Sequence, residues 1–128
     1  MKLLVFVLVG LMAVLLACGD DGPIEIELGQ LVSGVITKSD ADDGEWKSKT
    51  YLIEVIEGVP YYFELISTGG AIIRIWSADE NDNIVEASLT ENSLNVTHTF
   101  SVGGTKELFL QSPASHVPSP FRFRVSER

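Results

Sequence analysis

From Ile24 to Val125 the sequence alternates apolar and polar residues with period two, run after run. Successive side chains of an extended strand point to opposite faces, so this period specifies strands with one buried face. Ile24-Glu25-Ile26-Glu27-Leu28 alternates cleanly. Tyr51, Ile53 and Val55 share a face opposite Glu54, and Tyr61, Phe63 and Leu65 oppose Tyr62 and Glu64. Ala71, Ile73 and Ile75 oppose Ile72, Arg74 and Trp76. Leu94, Val96, His98 and Phe100 oppose Asn95, Thr97 and Thr99. Leu108 and Leu110 oppose Glu107, Phe109 and Gln111, and Phe121, Phe123 and Val125 oppose Arg122 and Arg124. Turn-forming residues separate the runs at Glu57-Gly58, Thr68-Gly69-Gly70, Asp79 to Asn83, Gly103-Gly104 and Pro113 to Pro120. After Cys18 no stretch carries a helical period. The pattern predicts an all-β fold: an antiparallel β-sandwich, jelly-roll-like, of eight or nine strands.

The N-terminus is of another kind. Met1-Lys2 precedes Leu3 to Ala17, a 15-residue run without a charge. A positive start and a short apolar run are the layout of a secretory signal peptide, expected as a signal helix. A spanning helix needs about 20 apolar residues and usually basic flanks. Here Cys18-Gly19-Asp20-Asp21-Gly22 follows instead, small and acidic. Leu15-Leu16-Ala17-Cys18 resembles the lipobox of bacterial lipoproteins, with Leu15 the apolar entry, Ala17 the small residue at the cut and Cys18 the acceptor. That resemblance implies acylation of Cys18 and cleavage before it. It also accounts for the chain's single cysteine, because a lone thiol in an oxidising envelope has no intramolecular partner. At about 0.8 kcal/mol per buried methylene, one acyl chain anchors marginally and two or three anchor stably. An ordinary cleaved signal with an incidental cysteine is the alternative.

The expected division is a lipoprotein signal peptide over 1–17, a lipidated cysteine and short linker over 18–23, and one β-sandwich domain over 24–128. Loss of Lys2 with the signal takes the formal charge from −9 to −10. That charge argues against nucleic acid and against adhesion to anionic headgroups. Without a second cysteine the fold stands on packing.

In their order the segments also resemble the bacterial pre-peptidase C-terminal domain. Its Gly-rich first strand matches "LGQLVSGVI", its acidic loop "SDADDGEW", and its Tyr-led strand ending in Gly "YLIEVIEG". "VPYYFELIS", "IIRIWSADENDNIVEAS", "GGTKELFLQS" and "FRFRV" match the later strands. The match runs from about Leu28 to Val125. It departs at extra residues in the acidic loop, at Glu107-Leu108 where paired tyrosines are usual, and at the Pro-rich "SPASHVPSP". The resemblance implies a calcium-tolerant accessory module without catalysis, of a kind that in some members binds a polymeric substrate.

Several residues are candidate sites. Asp40, Asp42, Asp43 and Glu45 crowd one loop, and hard oxygens at that density can hold calcium; the alternative is a solvated acidic loop. Asp79 to Asn83 has oxygens at alternate positions but lacks the Gly and distal Glu of an EF-hand, and reads as an Asx-rich hairpin turn. His98 falls on an apolar strand face and His116 in the Pro-rich loop, with no motif around either. Neither a Gly-x-Ser-x-Gly setting nor a phosphate loop is present. Asn95-Val96-Thr97 matches a glycosylation sequon that a bacterial lipoprotein would rarely use. Tyr62, Arg74, Trp76, Phe109, Arg122 and Arg124 should point outward. Exposed aromatics with arginine are the composition of binding hot spots, although cross-strand contacts that stiffen a sheet look the same in sequence.

The functional expectation is a non-enzymatic, lipid-anchored module in the bacterial cell envelope, on the outer or the inner membrane. Its partners would be the membrane, through Cys18, and an envelope protein or polysaccharide. The alternatives are a small envelope hydrolase and a purely structural lipoprotein.

Overall fold

The computed structural model describes residues 22–127, so the signal, the lipobox and Cys18 lie outside the described residues. Ten strands follow one another: β1 (Ile24–Glu25), β2 (Val32–Ile36), β3 (Ala41–Asp43), β4 (Trp46–Val55), β5 (Pro60–Ser67), β6 (Ile73–Ser77), β7 (Asp82–Ala87), β8 (Ser93–Thr99), β9 (Gly104–Pro113) and β10 (Ser119–Glu127). They form two sheets. One has the order β1-β4-β9-β6-β7, with β3 also on β4, and the other the order β2-β10-β5-β8.

The eight longer strands pair from the outside inward. β2 lies beside β10, β4 beside β9, β5 beside β8, and β6 beside β7. Such nesting is one long hairpin folded over on itself, which is the jelly-roll arrangement expected from the sequence. The strand count is higher than the expected eight or nine because two short pieces flank β4. β3 hairpins onto its first half, and β1 runs parallel to its second half. Of the Ile24 to Leu28 alternation, Ile24 and Glu25 alone pair; the chain then turns, with Ile26 dropped into the core. The β1–β4 pair is thus parallel in an otherwise antiparallel molecule.

The period-two faces meet as the sequence requires. Tyr51, Ile53, Ile73, Ile75, Leu108 and Leu110 from one sheet pack on Tyr61, Phe63, Leu65, Phe121, Phe123 and Val125 from the other, all at most 3% exposed. Tyr51 meets Phe123 edge-on, with ring centroids 5.1 Å apart, a geometry that aromatic quadrupoles favour. Opposite Phe121 the sequence has Gly34, where a methyl group would sit 2.7 Å from Phe121 Cζ. That glycine therefore serves close packing, since its backbone is not in the left-handed region. The β6–β7 turn uses Asn81 at φ 52°, the left-handed conformation that Asn tolerates. After it, the pairing shifts between Ile75 and Trp76, so that Ile84 is the extra residue of a bulge.

Candidate functional site

The six outward candidates do not gather on one surface. Arg74, Trp76 and Phe109 lie on the outer face of the six-stranded sheet; Tyr62, Arg122 and Arg124 lie on the outer face of the other.

On the six-stranded sheet, register builds the patch. Arg74 stands opposite Gln111 and Trp76 opposite Phe109, while Trp46 stands opposite Pro113 at the start of β4. The Arg74 guanidinium carbon lies 3.7 Å from the centroid of the Trp46 ring and 4.5 Å from that of Trp76. A planar cation over an indole face is held by the ring quadrupole, and here one cation serves two rings from two strands. Arg74 Nε also donates to Gln111 Oε1 at 2.8 Å. The stack has a covering role, because Gln111 is 0% exposed although its parity points it out of the sandwich. Trp46, Arg74, Trp76 and Phe109 are themselves partly exposed. Trp76 thus points outward as its period requires, with its own Arg74 across part of the ring. Beside them Asn83 Nδ2 donates to Glu86 Oε1 at 3.0 Å, and Asn83 Oδ1 is buried without a partner. The sequence reading missed Trp46. The signal was there, since positions 46, 48 and 50 continue the outward parity opposite Tyr51, Ile53 and Val55.

The four-stranded face is more open. Tyr62 is 37% exposed and, with Glu64, Asn95, Val96 and Thr97, lines a shallow depression. Arg124 forks onto Glu64, with Nε to Oε2 at 3.0 Å and Nη2 to Oε1 at 3.4 Å. That hydrogen-bonded carboxylate raises the pKa of Arg124 above the usual guanidinium value. Arg122 is exposed.

The acidic loop is a turn with lysine partners. Asp40, 5% exposed, accepts from the Thr37 backbone N–H at 2.7 Å and from Lys49 Nζ at 3.0 Å. Asp42 faces Lys47 at 2.6 Å. Glu45 is exposed and its carbonyl takes the Ala114 N–H at 2.9 Å, while the side chain of Asp43 lies outside the described ones. Lysine ammonium groups thus meet two of the four carboxylates proposed for calcium. Among the described residues, no three His, Cys, Asp or Glu side chains converge as a metal site. Lys47 and Lys49 come after the turn that folds them back, so sequence order alone sets no cation beside Asp40 and Asp42.

The two histidines lie at opposite ends of the sandwich. His98, opposite Tyr61 on β5, stacks edge-on to Phe100 at 4.6 Å and meets Glu80 of the β6–β7 turn at 2.6 Å. His116 Nδ1 accepts from the Ile72 N–H at 3.4 Å, fastening the Pro-rich loop to the start of β6. Ser112 Oγ donates to Ile72 O at 2.7 Å in the same place. The pair does not converge, and each histidine is explained by packing and local hydrogen bonds.

No family model matches the sequence, and no curated protein does. Solved structures do match in three dimensions. The pre-peptidase C-terminal domain of a collagenase from Bacillus anthracis superposes with a TM-score of 0.61 over 84% of this chain and 97% of that one, at 11% identity. PliG from Aeromonas hydrophila, a periplasmic inhibitor of g-type lysozyme, gives 0.50 over 84% of this chain and 100% of its own, at 9% identity. PliG from Salmonella Typhimurium gives 0.49 over 81% and 98%, at 16% identity. At such identities the likeness is one of fold: the described chain is a β-sandwich similar to the pre-peptidase C-terminal domain.

Proposed function

We propose that this chain is a non-catalytic binding module, tethered to the bacterial cell envelope by lipid on Cys18, that engages an envelope protein or polysaccharide. The observation that carries the reading is the Trp46–Arg74–Trp76 stack on the outer face of the six-stranded sheet. It presents aromatic edges and a guanidinium whose position is already fixed, so little side-chain entropy remains to be lost on binding. Phe109 and Glu86 extend the same face. Support for a partner in the envelope comes from the frame, which a periplasmic lysozyme inhibitor shares. Support for the tether comes from Leu15-Leu16-Ala17-Cys18 at the end of the apolar run.

Two measurements on the full chain test the two halves. Labelled palmitate should enter the wild type and not Cys18→Ser; an unlabelled wild type would end the tether reading. Purified chain should be retained on isolated cell-wall sacculi or on immobilised envelope proteins, and Phe109→Ser, which leaves the stack in place, should weaken retention without lowering the melting temperature by more than a few degrees. Retention unchanged in Phe109→Ser and in Trp46→Ala alike would remove the aromatic face from the proposal.

A further inference from the structure

We infer that one end of the sandwich, distinct from the aromatic face, is a docking surface for a cationic protein segment that also carries apolar side chains. The strand directions bring four stretches of chain to this end. β4 and β8 run into it at Val55 and Thr99, and β5 and β9 leave it at Pro60 and Gly104. β10 arrives there too, because Glu127 stands opposite Tyr61 near the start of β5. The 26–31 segment joins them through Gly29 N–H, which donates to Val125 O at 2.8 Å. The loops around 56–59 and 100–103 touch, with Gly58 N–H donating to Phe100 O at 3.1 Å.

These loops expose apolar side chains. Leu31 is 52% exposed, Ile56 and Val102 are 61% exposed, and Leu28 is 37% exposed. Single exposed apolar residues are ordinary, but several grouped at one end and rimmed by charge mark an interaction surface. Among the described residues the rim has one sign. Glu27, Glu57 and Glu127 are exposed there, and the segments 25–31, 54–59, 100–105 and 126–127 contain no lysine or arginine. Arg128, which follows Glu127 in the sequence, lies outside the described residues, and Lys106, next after the 100–105 segment, is 6% exposed. Lys47 and Lys49 sit at the opposite end, on the first half of β4, engaged with Asp42 and Asp40.

Charge then selects the occupant. A second copy would bring this acidic end against an equally acidic chain, and an anionic bilayer would be repelled in the same way. A basic segment is drawn in by the field and held once its apolar side chains cover Leu31, Ile56 and Val102. The surface does not depend on the aromatic face, and either can fail alone.

The test is a titration of the isotopically labelled full chain with three synthetic peptides and with phosphatidylglycerol vesicles. One peptide mixes lysine with leucine, one lysine with serine, and one glutamate with leucine. The lysine–leucine peptide should bind and move the amide signals of Leu28, Leu31, Ile56 and Val102. Its affinity should fall about tenfold in the Ile56→Ser/Val102→Ser double variant, and by a similar factor when leucine gives way to serine in the peptide. Trp76→Ala should bind it normally, which separates this surface from the proposed aromatic one. The glutamate–leucine peptide should not bind. Equal affinity for both lysine peptides, signal shifts centred elsewhere, vesicle-induced shifts at Leu31, Ile56 and Val102, or no binding of the lysine–leucine peptide would each overturn the inference.

Discussion

Tyr51 shows how one side chain ties the fold to solution conditions. It is 3% exposed, edge-on to Phe121 and Phe123, and burial pushes its phenol up to about 12 from 10.0, with the negative Asp40 adding to the rise. A tyrosine is neutral when protonated, so the buried form resists losing its proton. Between pH 10 and about 12 the unfolded chain has released this proton and the folded chain has kept it. Alkali therefore favours unfolding: the contribution of Tyr51 is intact below pH 10 and is lost as pH rises towards 12. Integrated over that window the loss is roughly 3 kcal/mol. Denaturant melts from pH 9 to 12 should show this fall in the wild type and a shallower one in Tyr51→Phe. Parallel curves for the two proteins would show that the alkaline limb comes from other groups.

At the scale of elements, β6 joins two neighbours through one side chain. Arg74 reaches Trp46 of β4 across the intervening β9, and holds Gln111 of β9 on the way. Arg74→Ala should remove both stacking contacts and the hydrogen bond that Arg74 Nε donates to buried Gln111 Oε1. The expected loss is about 1–3 kcal/mol, combining partly exposed cation–π contacts with one lost charge-assisted hydrogen bond. Arg74→Lys keeps the charge without the planar fork, and should recover only part of it. Chemical denaturation of both variants would measure this; full rescue by lysine would mean that charge alone acts. The same element shows what the sequence could tell. The outward parity of Arg74 and Trp76 and the inward parity of Ile73 and Ile75 are local, and alternation exposes them. That Trp46 would come to lie over Arg74 depends on the β4–β9–β6 register, which period does not encode. Likewise the alternation cannot say which of the two sheets a strand joins, so Tyr62, Arg122 and Arg124 could be read as outward but not as facing away from Trp76. The lysine partners of Asp40 and Asp42 escape the period for a similar reason, since they arrive through the β3–β4 hairpin. By contrast, the sandwich and its core were legible because burial repeats at every second residue along nearly every long strand.

For the whole molecule, nested pairing makes the ends of the chain unequal. β10, the last strand, lies inside the four-stranded sheet with β2 on one side and β5 on the other. It supplies Phe121, Phe123 and Val125, each at most 1% exposed, and Phe121 is the side chain that Gly34 accommodates. β1, the first strand, is two residues at an edge, with both side chains exposed. A chain stopped at Val117 therefore loses the centre of a sheet. β2 is left without its ladder, and β5 presents a fresh unpaired edge of the kind that promotes aggregation. The lost side chains alone account for several kcal/mol, at about 3–5 kcal/mol for each phenylalanine, against a total stability of about 5–15 kcal/mol for a domain. Removal of residues up to Glu25 takes away an edge and little of the core. We expect the Val117 truncation to show no cooperative thermal transition, and the N-terminal truncation to melt cooperatively at a somewhat lower temperature. A synthetic peptide spanning residues 118–128 should restore the transition of the truncated chain, because its two neighbours form a slot that only this strand's register fills. Nested closure also leaves most pairings between residues distant in sequence, which slows folding, so recovery after peptide addition should be slow compared with a local hairpin. A cooperative melt of the Val117 truncation without peptide would show that the remaining strands close the core unaided, against the pairing order described here.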